Sequence, residues 1–220
     1  MSPEVTDPML FFSGIPNSLV NMRSGSSKNF GWASGGSSIL AEFGTMHMEF
    51  AYLSDITGNP VYRQKVERVR EVLASVDRPK GLYPNYLNPK TGKWGQFHTS
   101  MGALGDSFYE YLVKEWVRSG RRDRQARDMY VEAANDVADQ LVKTSPGGLM
   151  YFAEYKYGRL EHKMDHLACF GGKAFILGLR IASCRERRGL SYTLFKLLLC
   201  GVPSIGHGLK VESRNLVSQT

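Results

Sequence analysis

The feature that most restricts the fold of this chain is an architectural repeat. Ile39, Phe43, Met46, Phe50 and Leu53 recur at spacings of four and three, the signature of one apolar helical face over residues 39–53. Thr57-Gly58-Asn59-Pro60 ends that helix and starts a second, which carries Tyr62, Val66, Val69, Leu73 and Val76 inward. Residues 81–96 then read as a β-hairpin around Asn88-Pro89-Lys90-Thr91-Gly92. The order repeats after that. A third helix is predicted from about Leu104 to Arg118, stopped by Ser119-Gly120, and a fourth from about Asp123 to Lys143, with Tyr130, Ala134, Val137 and Leu141 inward. Residues 149–155 and 158–163 form a second predicted hairpin, and a fifth helix should begin near His166. Helix, helix, hairpin thus recurs with a period of roughly 65 residues. Stacked helix pairs of this kind build an α/α toroid, and so few pairs make only part of a ring. Residues 1–37, rich in Gly, Ser and Asn, read as an irregular loop opening into the first helix, with Ser37 or Ser38 as its N-cap.

Composition narrows the class without choosing a function. At 220 residues and 42% hydrophobic, the chain is neither collagen-like nor disordered, and it can bury a core. No apolar run is long enough to span a bilayer, and residues 1–8 lack the pattern of a signal peptide. Residues 181–220 carry +4 of the net charge of +7, so the basic balance gives no reason to expect nucleic acid as a partner. Arg118, Arg121, Arg122, Arg124 and Arg127, interrupted by Asp123 and Asp128, read either as a solvated helix face or as a phosphate-binding patch. Cys169, Cys184 and Cys200 have no metal-like spacing and do not settle the redox compartment.

The residues with most chemical content lie at helix and hairpin ends. Asp106 and Glu110, four apart, share one face at the start of the third helix, where the helix dipole favours ionised carboxylates. Facing carboxyl groups of that kind serve hydrolysis, one giving a proton and the other activating water. The alternative is that Asp106 simply caps the helix. His162 and His166 are four apart, but no helix is predicted across them, which argues against a zinc pair. Tyr83, Tyr86 and Trp94 form either a sugar-stacking platform or hairpin packing.

Four segments then carry a family resemblance. They are Gly35-Gly36-Ser37-Ser38-Ile39-Leu40-Ala41-Glu42-Phe43-Gly44, Gly81-Leu82-Tyr83-Pro84-Asn85-Tyr86-Leu87-Asn88-Pro89, Leu104-Gly105-Asp106-Ser107-Phe108-Tyr109-Glu110-Tyr111-Leu112 and Glu161-His162-Lys163-Met164-Asp165-His166-Leu167-Ala168-Cys169-Phe170-Gly171-Gly172. In this order they resemble the class I α-1,2-mannosidases of glycoside hydrolase family 47, most closely the Golgi type, over about residues 10–180. The resemblance implies a mainly α fold, an incomplete (α/α)7 barrel with helix pairs joined by short β-hairpins. It implies inverting, calcium-dependent hydrolysis of terminal α-1,2-linked mannose from high-mannose N-glycans in the Golgi or endoplasmic reticulum lumen. The full-length family is membrane-anchored there.

By motif, Asp106 matches a catalytic carboxylate acting through water on the leaving-group side. Glu42 and His166 match residues lining the sugar subsite, and Glu110 belongs to the same acidic floor. Leu104 stands where the Golgi enzymes carry Leu and the endoplasmic-reticulum type carries Arg, a position that helps select the mannose branch. Cys169 matches one half of a family disulfide whose usual partner is missing, with Cys184 at best a substitute.

The family's further catalytic Glu is expected before residue 1, and its base Glu and calcium-binding Thr after residue 180. Residues 1–180 therefore read as a partial barrel and residues 181–220 as a divergent tail, without metal ligands assigned in this chain. Residues 1–220 on their own are expected not to release mannose. The alternatives are a non-catalytic glycan-binding or decoy fragment and, more plainly, an insoluble product without a function of its own.

Overall fold

A computed structural model describes residues 13–171. Two short strands, β1 (Leu19–Val20) and β2 (Ser27–Lys28), pair antiparallel in the irregular N-terminal segment. A 3-10 turn at Ser34–Gly36 leads into β3 (Ser38–Ile39) and α1 (Leu40–Phe43). The first full helices, α2 (His47–Thr57) and α3 (Val61–Ser75), pack on one another across the Gly58–Pro60 turn. Gly58 adopts φ 71°, a left-handed conformation that closes α2 through its N–H to Ser54 O, and Pro60 then starts α3.

The helix predicted over residues 39–53 is broken. Ser38–Ile39 is a strand paired with β4 (Tyr86–Asn88), which is the first strand of the predicted hairpin. Thr45 Oγ1 bonds back to the carbonyls of Ala41 and Glu42, ending α1 after a single turn. The offset between the two helices rotates the buried face by one residue. His47, Ala51 and Ser54 point inward on α2, while Met46, Phe50 and Leu53 are only half buried.

The helix order holds, but Val142 and Lys143, predicted as the end of the fourth helix, form a strand. The predicted strand 149–155 is split in two, its first half pairing back on residues 142–144 and its second on residues 159–161. β4 pairs with β5 (Lys93–Trp94) around the Pro89–Gly92 loop, with Leu87 opposite Trp94. β6 (His98–Thr99) precedes α4 (Asp106–Arg118), and α5 (Arg124–Gln140) packs along α4. Asp123 caps α5 by accepting the Ala126 N–H at 3.0 Å. β7 (Val142–Thr144) pairs with β8 (Met150–Phe152), and β9 (Glu154–Lys156) pairs with both β10 (Arg159–Glu161) and β6. Where a fifth helix is predicted to begin, the structure has a 3-10 turn, His166–Phe170; residues 172–220, with Cys184, Cys200 and the predicted tail of residues 181–220, lie outside the described residues.

The core lies where the helix pairs meet the β4–β5 hairpin. Leu40, Phe43, Val69, Leu73, Phe108, Leu112, Tyr130, Ala134, Val137 and Leu141 are buried together there. Tyr83 sits edge-on to Phe108 at 4.9 Å and to Trp94 at 6.3 Å. Tyr83 and Tyr86 are buried and Trp94 Nε1 donates to Asp77 O, so these aromatics pack the hairpin and offer no stacking platform.

Candidate active site

Asp106 is the first residue of α4, and the chain reaches it through a tight turn with glycines at positions 102 and 105. Gly102 O accepts from both Gly105 N–H, at 3.4 Å, and Asp106 N–H, at 3.1 Å. Leu104 between them has φ 77°, a conformation that costs a branched side chain of order 1 kcal/mol. Leu104 O accepts from Ala41 N–H at 2.9 Å, which fastens this turn to α1. Asp106 Oδ1 accepts from the Ser107 N–H at 2.8 Å. The structure therefore separates two roles that the sequence left open: Gly105 occupies the N-cap position, and Asp106 lies one residue inside the helix, half exposed.

The other residues carried over by resemblance surround this end of α4. Glu42 is exposed on α1 and opens into a shallow depression of about 380 Å3 with Pro16, Asn17, Ser18, Val20, Ser38, Phe43 and Met46. Asp106 does not line that depression. Glu110 lies one turn along α4 from Asp106 and pairs with Lys114 at 2.7 Å. Beside it, Tyr111 donates from its hydroxyl to Glu49 on α2 at 2.8 Å. Partial burial, then the bonded and neighbouring carboxylates, push the Tyr111 hydroxyl up to about 12.

His166 is exposed and lies 3.3 Å from Asp165 Oδ1, in the 3-10 turn that packs on α4. Asp165 also presses on the turn before α4, since a Cβ on Gly102 would lie 2.6 Å from the Asp165 Cβ. Among the described residues no hydrogen bond or ion pair joins Asp106, Glu42 and His166 to one another. α1, through Ala41, and the segment of His166, through Asp165, each touch the turn that precedes α4. Cys169 is exposed and carries a free thiol in the structure.

Sequence reasoning missed a cluster behind this site. Glu115 on α4, only 2% exposed, accepts from Arg118 Nε at 2.6 Å and Nη2 at 2.9 Å, and lies 3.4 Å from His47 Nε2 on α2. Asp123 accepts from Arg70 of α3 at 2.6 Å, and Arg118 reaches Asp55 of α2 at 3.3 Å. Burial alone would raise the Glu115 carboxyl, but the bonds from His47 and Arg118 outweigh it and hold it at about 2. The cluster ties α2, α3, α4 and the cap of α5 together. No motif announces it, because its members are far apart in sequence and charged helix residues read as solvent-facing. It also assigns part of the arginine-rich run, since Arg118 and Arg127 are ion-paired rather than free to hold a phosphate.

His47, Glu115 and Asp123 place ligand atoms within 4.8 Å of one another, the one group of that kind among the described residues. Arg118 and Arg70 already neutralise the two carboxylates. Calcium takes about six to eight oxygen ligands, so these residues do not fit it. A second buried polar contact lies on the β6–β9 sheet, where His98 Nε2 meets Glu154 at 3.0 Å. That bond, together with Lys163, holds the Glu154 carboxyl below its ordinary range against the effect of burial.

α4 thus opens with Asp106 and carries Glu110 one turn further along, in a chain of helix pairs alternating with short strands. The sequence model of glycosyl hydrolase family 47 matches residues 9–197, and the chain belongs to that family. It is 64% identical over 166 residues to mannosyl-oligosaccharide alpha-1,2-mannosidase IA of Drosophila melanogaster, covering 76% of this chain and 25% of that protein. Against human mannosyl-oligosaccharide 1,2-alpha-mannosidase IB the identity is 58%, with 76% and 26% covered. The chain thus spans about a quarter of the length of the curated relatives it matches. Among solved structures it resembles an alpha-1,2-mannosidase from Trichoderma reesei, with TM-score 0.71 and 29% identity over 87% of this chain and 39% of that one. No helix among the described residues is long and apolar enough to cross a membrane.

Proposed function

We propose that this chain is a segment of a mannosyl-oligosaccharide 1,2-α-mannosidase that removes terminal α-1,2-linked mannose from high-mannose N-glycans. The observation that supports it is the placement of Asp106 at the open start of α4, beside the α1 segment of Glu42 and the turn of His166, in a chain of family 47. In an inverting hydrolase one carboxyl group protonates the glycosidic oxygen while a carboxylate on the opposite face of the ring activates water. Asp106 belongs on the leaving-group side, its proton passing through a water. Glu42 and His166, both solvent-facing, receive sugar hydroxyls, and Glu110 adds to the negative floor on the same helical face. Leu104 presents an apolar side chain beside Asp106, suiting the Golgi type of branch selection.

Calcium, in this reading, is held outside residues 13–171, where the ligands expected of the family belong. The complete helix pairs form an (α/α)7 barrel, the enzyme works in the Golgi or endoplasmic reticulum lumen behind a membrane anchor, and Cys169 forms its disulfide there. Residues 1–220 alone supply one wall of the site, so they bind the sugar without turning it over.

The test is an NMR titration of purified residues 1–220 with α-1,2-mannobiose, with free mannose assayed in parallel. Weak binding lost in Asp106→Asn and His166→Ala, with no mannose released, is the expected result. A folded chain that ignores the disaccharide, or binds it equally well in both variants, refutes the assignment.

A further inference from the structure

Beside the Glu42 depression lies a second one, of about 500 Å3, whose lining includes Asn17, Lys28, Asn29, Phe30, Asn88 and Lys90. The two adjoin, because Asn17 lines both. A hydrogen-bonded wall stands between them. Asn29, on the second side, donates to Gly36 O at 2.6 Å and to Ser38 Oγ at 3.2 Å. Ser38, on the Glu42 side, donates to Pro16 O at 2.6 Å, and Asn29 Oδ1 accepts from the Ser18 N–H at 2.8 Å. Phe30 is held as firmly: its ring stacks on Trp32 at 5.2 Å, and it packs against the cluster of Ala33, Ile39 and Tyr86 that Leu104 also joins. The walls are therefore set before any ligand arrives.

Three groups are left to meet one. Asn17 is only 8% exposed; its Nδ2 donates to Ser27 Oγ at 2.9 Å, while its Oδ1 accepts no hydrogen bond among the described residues. Lys28 and Lys90 are exposed, and neither has an ion-pair partner among the described residues. Buried polar groups are ordinarily satisfied, so Asn17 Oδ1 asks for a donor from the depression. An ionised carboxylate or sulfate has none to give, whatever the lysines offer. A sugar hydroxyl donates to Asn17 Oδ1 and accepts from a lysine ammonium at once. An aromatic ring beside a few convergent polar groups is the ordinary make-up of a small-ligand site, and it suits the alternating C–H and hydroxyl surface of a sugar.

We propose that this depression is a second mannose subsite, holding a mannose residue of the same glycan that is not being cleaved, with Asn17 Oδ1 as hydroxyl acceptor and Lys28 and Lys90 as donors. A branched glycan with one arm at Glu42 and another here is held at two points, which orients it in the site. The identity of the glycan rests on the mannosidase reading; the adjoining depressions and their unpaired groups do not.

The test is an NMR titration of residues 1–220 with a branched α-mannopentaose and with α-1,2-mannobiose, followed at the amides of Lys28, Asn29, Phe30 and Lys90. The pentaose shifts these amides and binds about tenfold more tightly than the disaccharide. In Lys28→Ala/Lys90→Ala, both at exposed positions, that advantage falls below about threefold, and Asn17→Leu loses it as well, while both variants bind the disaccharide as wild type does. Equal affinities for the two sugars, amides that ignore the pentaose, an undiminished advantage in the lysine variant, or displacement of the pentaose from these amides by sodium sulfate overturns the proposal. If Asn17→Leu does not fold, the lysine variant decides alone. If the disaccharide fails to bind, the assignment of Asp106 fails, and pentaose shifts at these amides that the lysine variant loses still carry the subsite. A pentaose bound in an Asp106-dependent way without touching these amides sinks the subsite and leaves the mannosidase reading standing.

Discussion

Replacing Glu115 by Gln removes one negative charge from the ion-pair cluster with almost no change of shape. Truncating one partner of a buried pair costs about 3–5 kcal/mol, chiefly because the other charge is left unpaired. Here the stranded guanidinium is partly relieved, since Arg118 is a quarter exposed and has Asp55 as a second carboxylate at 3.3 Å. Glutamine still offers a carbonyl oxygen to one N–H. These two corrections bring the expected loss to about 2–3 kcal/mol. The carboxyl group gives an independent figure: held at about 2 against an ordinary 4.5, it contributes about 3 kcal/mol.

The sign follows from the direction of that displacement. A carboxyl whose value is lower in the folded chain stabilises it fully above about pH 4.5, and the contribution disappears as the pH falls toward about 2. Urea denaturation followed by circular dichroism should therefore place the Glu115→Gln midpoint about 1–1.5 M below wild type at pH 6, for a slope near 2 kcal/mol/M. The gap should close steadily between pH 4.5 and pH 2. A variant as stable as wild type at pH 6, or a gap that does not depend on pH, would refute the reasoning.

Asp123 both caps α5 and holds Arg70, so Asp123→Ala should cost about 3–4 kcal/mol and Asp123→Asn, which keeps the cap, distinctly less, read from thermal unfolding. Gly44→Ala should lose about 1–3 kcal/mol in the same assay, because its Cβ would meet Leu40 O at 2.6 Å and Phe108 Cδ2 at 2.7 Å. Cys169, exposed and unpaired, should react with a maleimide in the folded protein without denaturant, as peptide mapping of the labelled chain will show.

The long helices were legible because each carries its own punctuation. Gly58 and Pro60 separate α2 from α3, Asp123 caps α5, and Tyr130, Ala134, Val137 and Leu141 turn inward as their spacing requires. What was not legible depends on contacts between distant segments. Gly44 lies so close to Phe108, 64 positions away, that a Cβ would not fit, and β3, β6 and β7 are two or three residues long and exist only through their partners. The site divides in the same way. The spacing of Asp106 and Glu110 puts both on one face of α4, but the pairing of Glu110 with Lys114 and the backbone bonds of Asn85 to His98 and Leu40 emerge only once the chain has folded.

The central claim, that this segment forms the Asp106 wall of an α-1,2-mannosidase, is tested most directly by transplanting it. Residues 13–171 replace the corresponding stretch of the Drosophila relative, whose remaining three quarters supply the rest of the enzyme. The account predicts calcium-dependent release of mannose from a high-mannose glycan, with inversion at the anomeric carbon, and a fall in kcat of at least about a thousandfold in Asp106→Asn. A folded chimera that releases no mannose, or one whose activity survives Asp106→Asn, would contradict it.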